Sequence, residues 1–439
     1  MREDVKRFVR SVLGRLGVLR TVRILRGNNT ALKVLICKFR YSRLLKRARS
    51  KPRNEKIRVL FIVSEIAKWK EQSVYEAMER SGEFEPIVGL SAWNRQSGLS
   101  PAELDAVHKR AEDFFDRLGD RHVRTVKVVD GKKVFCDLAE FKPDVVYYTE
   151  PWSPCQGQDP WVVSKIALTV YTPYFTPNYG RLEWDCHLPL HRMLYGYFCL
   201  NEAWGRAFRR SLWCVAHCAK FIPAGHPGLD FLLKQKDVEN KDYVIYAPHH
   251  SFPHPKRGDA EQNYSTFDWN HKEILEYAKK HPEFNWVFKP HPVLRAVLAD
   301  TGFMTKEETQ AYYDEWAKIG KICEDGAYHE LFLASRVMIT DSGSFLTEYG
   351  ATGKPVVHLI CAKNTMTPIS LTKNVYDTYY QVRNLDDLKS MFKLVIEDRQ
   401  DPNREVRLDA VRFAGFTGSN AARNIVNHLL EAFGRKEST

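Results

Sequence analysis

Asn285-Trp286-Val287-Phe288 leads into Lys289-Pro290-His291-Pro292, and Arg336-Val337-Met338-Ile339 leads into Thr340-Asp341-Ser342-Gly343-Ser344. Residues 345–352 then carry a helical pattern, closed by Gly353-Lys354-Pro355 before another apolar run, Val356-Val357-His358-Leu359-Ile360. Short apolar runs, each released into a polar turn, read as buried parallel strands. A strand, a turn of small residues and a helix start make a phosphate site, because unpaired backbone N–H groups and the helix dipole face an anion there. Glu348, four residues beyond Ser344, is read on the first helical turn, where a carboxylate accepts from ribose hydroxyls.

The same pattern extends in both directions. Tyr243-Val244-Ile245-Tyr246-Ala247-Pro248 opens the second half, and its exit loop carries His249, His250, His254, Lys256 and Arg257. In the first half, strand runs at 57–63, 85–90, 144–148 and 220–225 enclose a helix at 72–81. Strands alternating with helices predict an α/β fold of two Rossmann-like halves facing a cleft, with ligands at the carboxyl ends of the strands. The expected organisation is an arm and linker at 1–54, an acceptor domain at 55–235, a nucleotide-donor domain at 236–420 and a closing helix at 421–439.

Charge is concentrated at one end. Residues 1–50 hold fifteen Lys and Arg against two acidic residues, a net +13; removing this from the total of +12 leaves residues 51–439 at −1. A near-neutral body argues against a nucleic-acid groove. In the arm, Val5, Phe8, Val9, Val12, Leu16 and Leu19 recur at helical steps, and Arg2, Lys6, Arg7, Arg10 and Arg20 fall largely elsewhere on the wheel. A basic amphipathic helix suits an anionic membrane surface; packing against the body is the alternative. No run approaches the ~20 apolar residues of a membrane span. Nine irregularly spaced cysteines, with one C-x3-C pair at Cys214 and Cys218, predict reduced thiols and no metal centre. The expectation is a cytoplasmic protein on the inner face of the cell membrane, without a cofactor.

The histidines and the lysine after the second-half strands are suited to neutralising a diphosphate and a leaving phosphate. Each piece also has a structural reading. The Pro-flanked His291 stiffens a loop, and Asp341 and Ser342 are favoured helix caps. His187 and His191 stand four apart, as a metal pair would on a helix, with no third ligand in sight. In the first half, Tyr147, Tyr148, Trp152, Trp161, Tyr171, Tyr174, Tyr179 and Trp184 offer a glycan platform or, equally, core.

Thr340-Asp341-Ser342-Gly343-Ser344-Phe345-Leu346-Thr347-Glu348-Tyr349 with Gly353-Lys354-Pro355-Val356 resembles the signature of the CDP-glycerol glycerophosphotransferases. Lys289-Pro290-His291-Pro292 resembles the His-Pro loop of that family, Gly225-His226-Pro227-Gly228-Leu229-Asp230 its Gly-Tyr-Pro-Arg-x-Asp turn, and Tyr246-Ala247-Pro248 its Tyr-Ala-Pro strand end. The resemblance spans roughly residues 165–360. It implies a GT-B fold and transfer of glycerol phosphate, or a related polyol phosphate, from a CDP-activated donor to a glycan or lipid-linked acceptor, with release of CMP. It makes His291 and Asp341 functional. Where the family has Trp-His-Gly-Thr-Pro-Leu-Lys, this chain has Thr169-Val170-Tyr171-Thr172-Pro173-Tyr174, with Val170 in the place of the histidine; His250 is the base by preference. The Asp-Ser-Gly form also resembles UDP-N-acetylglucosamine 2-epimerases, which share the fold. The site read from the chain is thus His291, Asp341 and His250 for chemistry, with Lys289, Ser342, Gly343, Ser344, Glu348 and His249 on the nucleotide. A nucleotide-sugar glycosyltransferase and a silent nucleotide-binding scaffold are the competing readings.

Overall fold

A computed structural model describes residues 28–92, 99–151, 155–175, 188–213, 215–235, 238–252, 263–324, 328–364, 368–418 and 420–436. The chain forms two compact units: residues 1–174, 182–224 and 422–439 make one, and residues 175–181 and 225–421 the other.

The first unit is built on seven strands: β1 (Ile57–Val63), β2 (Phe84–Leu90), β3 (His122–Arg124), β4 (Val145–Tyr148), β5 (Leu168–Tyr171), β6 (Gly196–Cys199) and β7 (Lys220–Pro223). They pair in the order β3-β2-β1-β4-β5-β6-β7, all parallel. The central strands are apolar on both faces because helices cover both, so their side chains do not alternate. Helix α1 (Asn28–Arg49) precedes the sheet, and helices α2 (Gln72–Ser81) and α3 (Pro101–Leu118) join its first three strands. Ser100 and Glu103 form a reciprocal capping box that starts α3.

The second unit has six strands: β8 (Tyr243–Ala247), β9 (Trp286–Phe288), β10 (Lys321–Ile322), β11 (Ser335–Thr340), β12 (Val356–Leu359) and β13 (Tyr380–Val382). Their order, β10-β9-β8-β11-β12-β13, is again all parallel. In both units the third, second, first and fourth strands lie side by side in that order, the doubly wound pattern of a Rossmann sheet. The order reverses between the first and fourth strands, and the loops there diverge to leave room for a ligand. In the second unit this switch point lies between β8 and β11. Helix α4 (Phe267–Lys280) follows β8, and the six-residue helix α5 (Gly343–Glu348) follows β11. The last helix, α6 (Ala421–Ala432), returns to the first unit, where Ala422, Ile425, Val426, Leu429 and Leu430 join its core.

The stretch read as a detachable arm divides. Residues 1–27, with the Val5–Leu19 stripe, lie outside the described residues. Residues 28–49 are helix α1, which is built into the first unit: Val34, Cys37 and Tyr41 lie in its core. The Tyr41 hydroxyl donates to the Met193 carbonyl at 2.6 Å and lies 2.6 Å from Thr169 Oγ1. Arg40 donates to Trp161 O at 2.9 Å and stacks over that indole at 4.3 Å, and Arg49 Nε donates to Ala432 O at 3.2 Å. No helix among the described residues is long and apolar enough to cross a membrane.

These contacts set a mutational contrast on one helix. Tyr41→Ala removes a buried ring and strands two polar partners, and should destabilise the first unit by about 3–5 kcal/mol. Leu35→Ala, on the exposed face, should shift stability by less than about 0.5 kcal/mol. Urea unfolding of both variants checks the contrast, and equal effects would show that α1 is not part of the core.

Candidate active site

The second sheet brings three imidazoles together at the carboxyl ends of β8 and β9, beside its switch point. His249 and His250 leave β8, and His291 leaves the neighbouring β9. The His249 and His250 rings are 4.2 Å apart, His250 and His291 4.2 Å, and His249 and His291 4.9 Å, centroid to centroid. Ring nitrogens of all three lie within 4.8 Å of one another. The backbone N–H of His291 donates to Pro248 O at 3.1 Å, so the two loops are laced together.

The hydrogen bonds assign the protons. Ser251 N donates to His249 Nδ1 at 3.2 Å, and Val293 N to His291 Nδ1 at 3.3 Å. A backbone N–H only donates, so both Nδ1 atoms are acceptors and Nε2 carries the proton. Ser251 Oγ, 2.7 Å from His249 Nδ1, accepts in turn from Tyr264 N at 3.1 Å. Burial, assisted by the Lys289 charge, pushes the His291 pKa down to about 4, so the ring is neutral at pH 7. Two neutral imidazoles with fixed N–H donors suit an oxyanion better than a metal cation, although three clustered histidines are also a known ligand set for zinc.

Asp341 changes role. Its carboxylate is buried. Oδ1 accepts from His249 N at 2.6 Å, and Oδ2 from Thr266 N at 2.8 Å and Thr266 Oγ1 at 3.0 Å. Thr266 is the residue before α4. Asp341 therefore ties the histidine loop to the start of α4, and both its oxygens are occupied in doing so. It positions His249 and is not placed to touch a phosphate. Nor does it cap α5, and Ser342, which occupies the cap position, makes no side-chain cap bond.

Lys289 is enclosed rather than presented. Its ammonium donates to Cys323 O at 3.3 Å and lies 5.5 Å from the Tyr328 ring and 5.9 Å from that of Phe345. It acts on His291 as a nearby charge. Ser342 is buried, with its N–H given to Thr340 Oγ1 at 3.0 Å, while Gly343 and Ser344 are half-buried in the first turn of α5. Glu348 is the last residue of α5, on its second turn and not its first, and Oε2 accepts from the Tyr328 hydroxyl at 2.5 Å. Lys354, of the Gly-Lys-Pro run, is a helix-end clamp: Nζ donates to the carbonyls of Phe332 (3.0 Å), Leu333 and Ser335 (2.6 Å).

Other expected groups disperse. His254, Lys256 and Arg257 lie outside the described residues, as do Trp152, Tyr179, Trp184, His187 and Cys214. Tyr147, Tyr148 and Tyr171 are buried core residues of the first unit and not a platform; Tyr147 OH lies 2.5 Å from Thr172 Oγ1, and Tyr148 OH donates to Gln158 O at 2.7 Å. Trp161 packs beneath Arg40, and His191 is buried against Tyr171, 5.2 Å away. The first unit carries a polar group that no motif announced. After β4, buried Glu150 accepts from Lys68 Nζ at 2.7 Å, and Lys68 also pairs with Glu65 at 3.0 Å. Burial raises the Glu150 pKa against the pull of Lys68. Thr266 and Tyr328 were also missed: one is an unremarked turn residue, the other a lone aromatic.

No family model matches the chain, and no curated protein matches it in sequence. Its fold is nonetheless widely shared. The UDP-GlcNAc 2-epimerase of Neisseria meningitidis, bound to UDP-GlcNAc, superposes with a TM-score of 0.52 at 16% identity, over 86% of this chain and 100% of its own. The UDP-N-acetylglucosamine 2-epimerase of Rickettsia bellii gives 0.51 at 14%, over 87% and 98%. The wall teichoic acid polymerase TagF, soaked with CDPG, gives 0.51 at 12%, over 94% and 98%. Identities this low establish the fold alone. The chain has the GT-B fold expected of it.

The buried carboxyl yields a pH signature. Burial lifts the Asp341 pKa to about 6, against the N–H groups that favour the anion. Between about pH 4 and 6 the unfolded chain is then ionised while the folded one holds the proton. Asp341 should therefore contribute a loss of roughly 3 kcal/mol as pH rises across that window, against the opposite contribution of the buried His271, His291 and His358, whose pKa values lie below the ordinary imidazole value. Asp341→Asn should remove that one contribution, so the stability difference between variant and wild type should change by this amount between about pH 4 and 6 and be level above it. Chemical unfolding at a series of pH values tests this, and parallel curves for the two proteins would remove Asp341 as its source.

Proposed function

We propose that the chain is a phosphotransferase of the CDP-glycerol glycerophosphotransferase type, moving glycerol phosphate or a related polyol phosphate to a glycan or lipid-linked acceptor at a cell surface. The observation that carries this reading is the convergence of His249, His250 and His291 beside the enclosed Lys289 cation, at the carboxyl ends of neighbouring strands of a Rossmann sheet. Phosphoryl transfer asks mainly for positioning and charge stabilisation. Fixed imidazole N–H donors and a buried ammonium supply both without reorganising during the reaction.

In the proposed reaction the donor diphosphate lies against the turn of Ser342, Gly343 and Ser344, and Glu348, oriented by Tyr328, takes the ribose hydroxyls. The acceptor oxygen forms a bond to the phosphorus that bears glycerol. The bond from that phosphorus to the bridging oxygen breaks, and CMP leaves with the charge. His249 and His291 donate to the transferring phosphate. Their tautomers are fixed as donors, so the acceptor's proton is assigned to His250. Asp341 holds the histidine loop in place. We assign the acceptor to the first unit. Residues 1–27, basic and apolar by turns, keep the enzyme at the inner face of the membrane.

The fold is shared with TagF, soaked with CDPG, and with an epimerase bound to UDP-GlcNAc, which supports a nucleotide-activated donor. One observation favours a second reading. Asp341-Ser342-Gly343 with Glu348 matches the epimerase-like form, and an epimerase of this fold binds UDP-GlcNAc. A nucleotide-sugar glycosyltransferase would attack an anomeric carbon and release a nucleoside diphosphate.

Product identity separates the two. Purified protein given CDP-glycerol, UDP-GlcNAc and related donors with a crude glycan acceptor should release CMP from CDP-glycerol; a nucleoside diphosphate would establish the sugar reading, and intact donors throughout would exclude both. His291→Ala should reduce single-turnover rate by about 100-fold or more and change donor affinity much less, because its bond strengthens as charge develops. A folded His291→Ala protein of near-normal rate would leave the loop as scaffold. Glu348→Gln should weaken CMP binding, and CMP lacking its ribose hydroxyls should bind both proteins equally.

A further inference from the structure

Helix α1 has two faces with opposite surroundings. Val34, Cys37 and Tyr41 are buried, whereas Leu32, Leu35 and Phe39 are 59%, 61% and 64% exposed. These three follow one another at steps of three and four residues, so they form a single stripe on the outer side of the helix. The helix contains seven Lys and Arg and no acidic residue. Lys38, Arg43, Lys46 and Arg47 are exposed around or beyond the stripe, and the Arg43 guanidinium lies 5.8 Å from the Phe39 ring.

Three large apolar side chains held in water by a helix are costly unless something covers them. The charge around them selects what that is. A second copy of the chain would bring an equally basic helix against this one. Residues 1–27 carry eight Lys and Arg against two acidic residues and would meet the same repulsion. An anionic surface with an apolar interior satisfies both halves of the pattern at once.

We propose that this outer face of α1 is a docking surface for an anionic lipid bilayer. Leu32, Leu35 and Phe39 enter the boundary between headgroups and acyl chains, and Lys38, Arg43, Lys46 and Arg47 lie at the lipid phosphates. The opposite face is fixed to the first unit through Tyr41, Arg40 and Arg49. The lipid-binding face is therefore a rigid part of that unit, distinct from residues 1–27, and it sets which side of the unit meets the membrane. None of this rests on which group the enzyme transfers.

The test uses the full-length chain and sedimentation with vesicles of phosphatidylglycerol and phosphatidylethanolamine, against phosphatidylcholine alone. The wild type should bind the anionic vesicles at low ionic strength. The triple variant Leu32→Ser, Leu35→Ser, Phe39→Ser should bind roughly tenfold or more weakly, and the variant Lys38→Gln, Arg43→Gln, Lys46→Gln should lose the preference for phosphatidylglycerol. Both should keep the wild-type thermal midpoint, since the replaced side chains point away from the core. Vesicle binding by both variants equal to that of the wild type would place lipid contact elsewhere in the chain and overturn the proposal. So would wild-type protein that ignores anionic vesicles, or a wild-type dimer that the apolar variant converts to monomer with lipid binding unchanged. Because vesicle binding needs no turnover, its failure is distinct from failure of the transfer reaction.

Discussion

A carboxylate taken out of water is among the more expensive things a fold holds, and the second unit holds one at its most sensitive point. Asp341 sits at the end of β11 with both oxygens committed to N–H and O–H donors of His249 and Thr266. Those bonds offset the desolvation only while the donors stay where they are. The loop leaving β8 and the start of α4 are thereby tied to one strand end. The geometry of the histidines depends on this tie, since His249 is held through its own backbone N–H.

Around this anchor the electrostatics are arranged to keep charge off His291. Three protonated imidazoles a few ångströms apart beside a lysine would repel strongly. Burial and the Lys289 cation hold His291 neutral instead. A neutral ring with a fixed tautomer donates a hydrogen bond without having to lose or gain a proton first. The fixed positive charge comes from buried Lys289, whose ammonium lies 5.5 Å from the Tyr328 ring and 5.9 Å from that of Phe345. The same Tyr328 hydroxyl orients Glu348. One aromatic thus braces both the cation and the carboxylate we assign to ribose.

The first unit follows the same sheet plan and differs in what it attaches. Its sheet begins only after a basic helix that is half core and half surface, and it is completed by the last helix of the chain. Segments far apart in the chain are locked together in this core: Arg49 donates to Ala432, and Arg435 pairs with Glu83 at 3.0 Å. An exposed apolar face on such a helix is held in a fixed orientation to its sheet.

By itself the sequence determined the strands with long apolar runs, Ile57–Val63 and Tyr243–Ala247 among them, and the helix Gln72–Ser81. It determined the doubly wound class, because buried parallel strands leave continuous apolar runs between helical periods. It also marked His249, His250 and His291, since polar residues directly after such strands fall at the ligand end of the sheet. The strands Leu168–Tyr171 and Gly196–Cys199 were not read as separate elements, because Thr169 and Gly196 interrupt apolar runs already too short to show a period. Only the tertiary structure decided how the marked residues are held. Asp341 looked like a reacting group or a cap of its own helix, and became the anchor of another, because its partners are distant in the chain. Lys289 looked like a ligand-facing cation and turned inward. Tyr147, Tyr148 and Tyr171 looked like a platform and proved to be core, since a strand buried on both faces hides every side chain it carries. Composition fixes which side chains are available, but the direction in which each points is set by contacts between segments that no local pattern records.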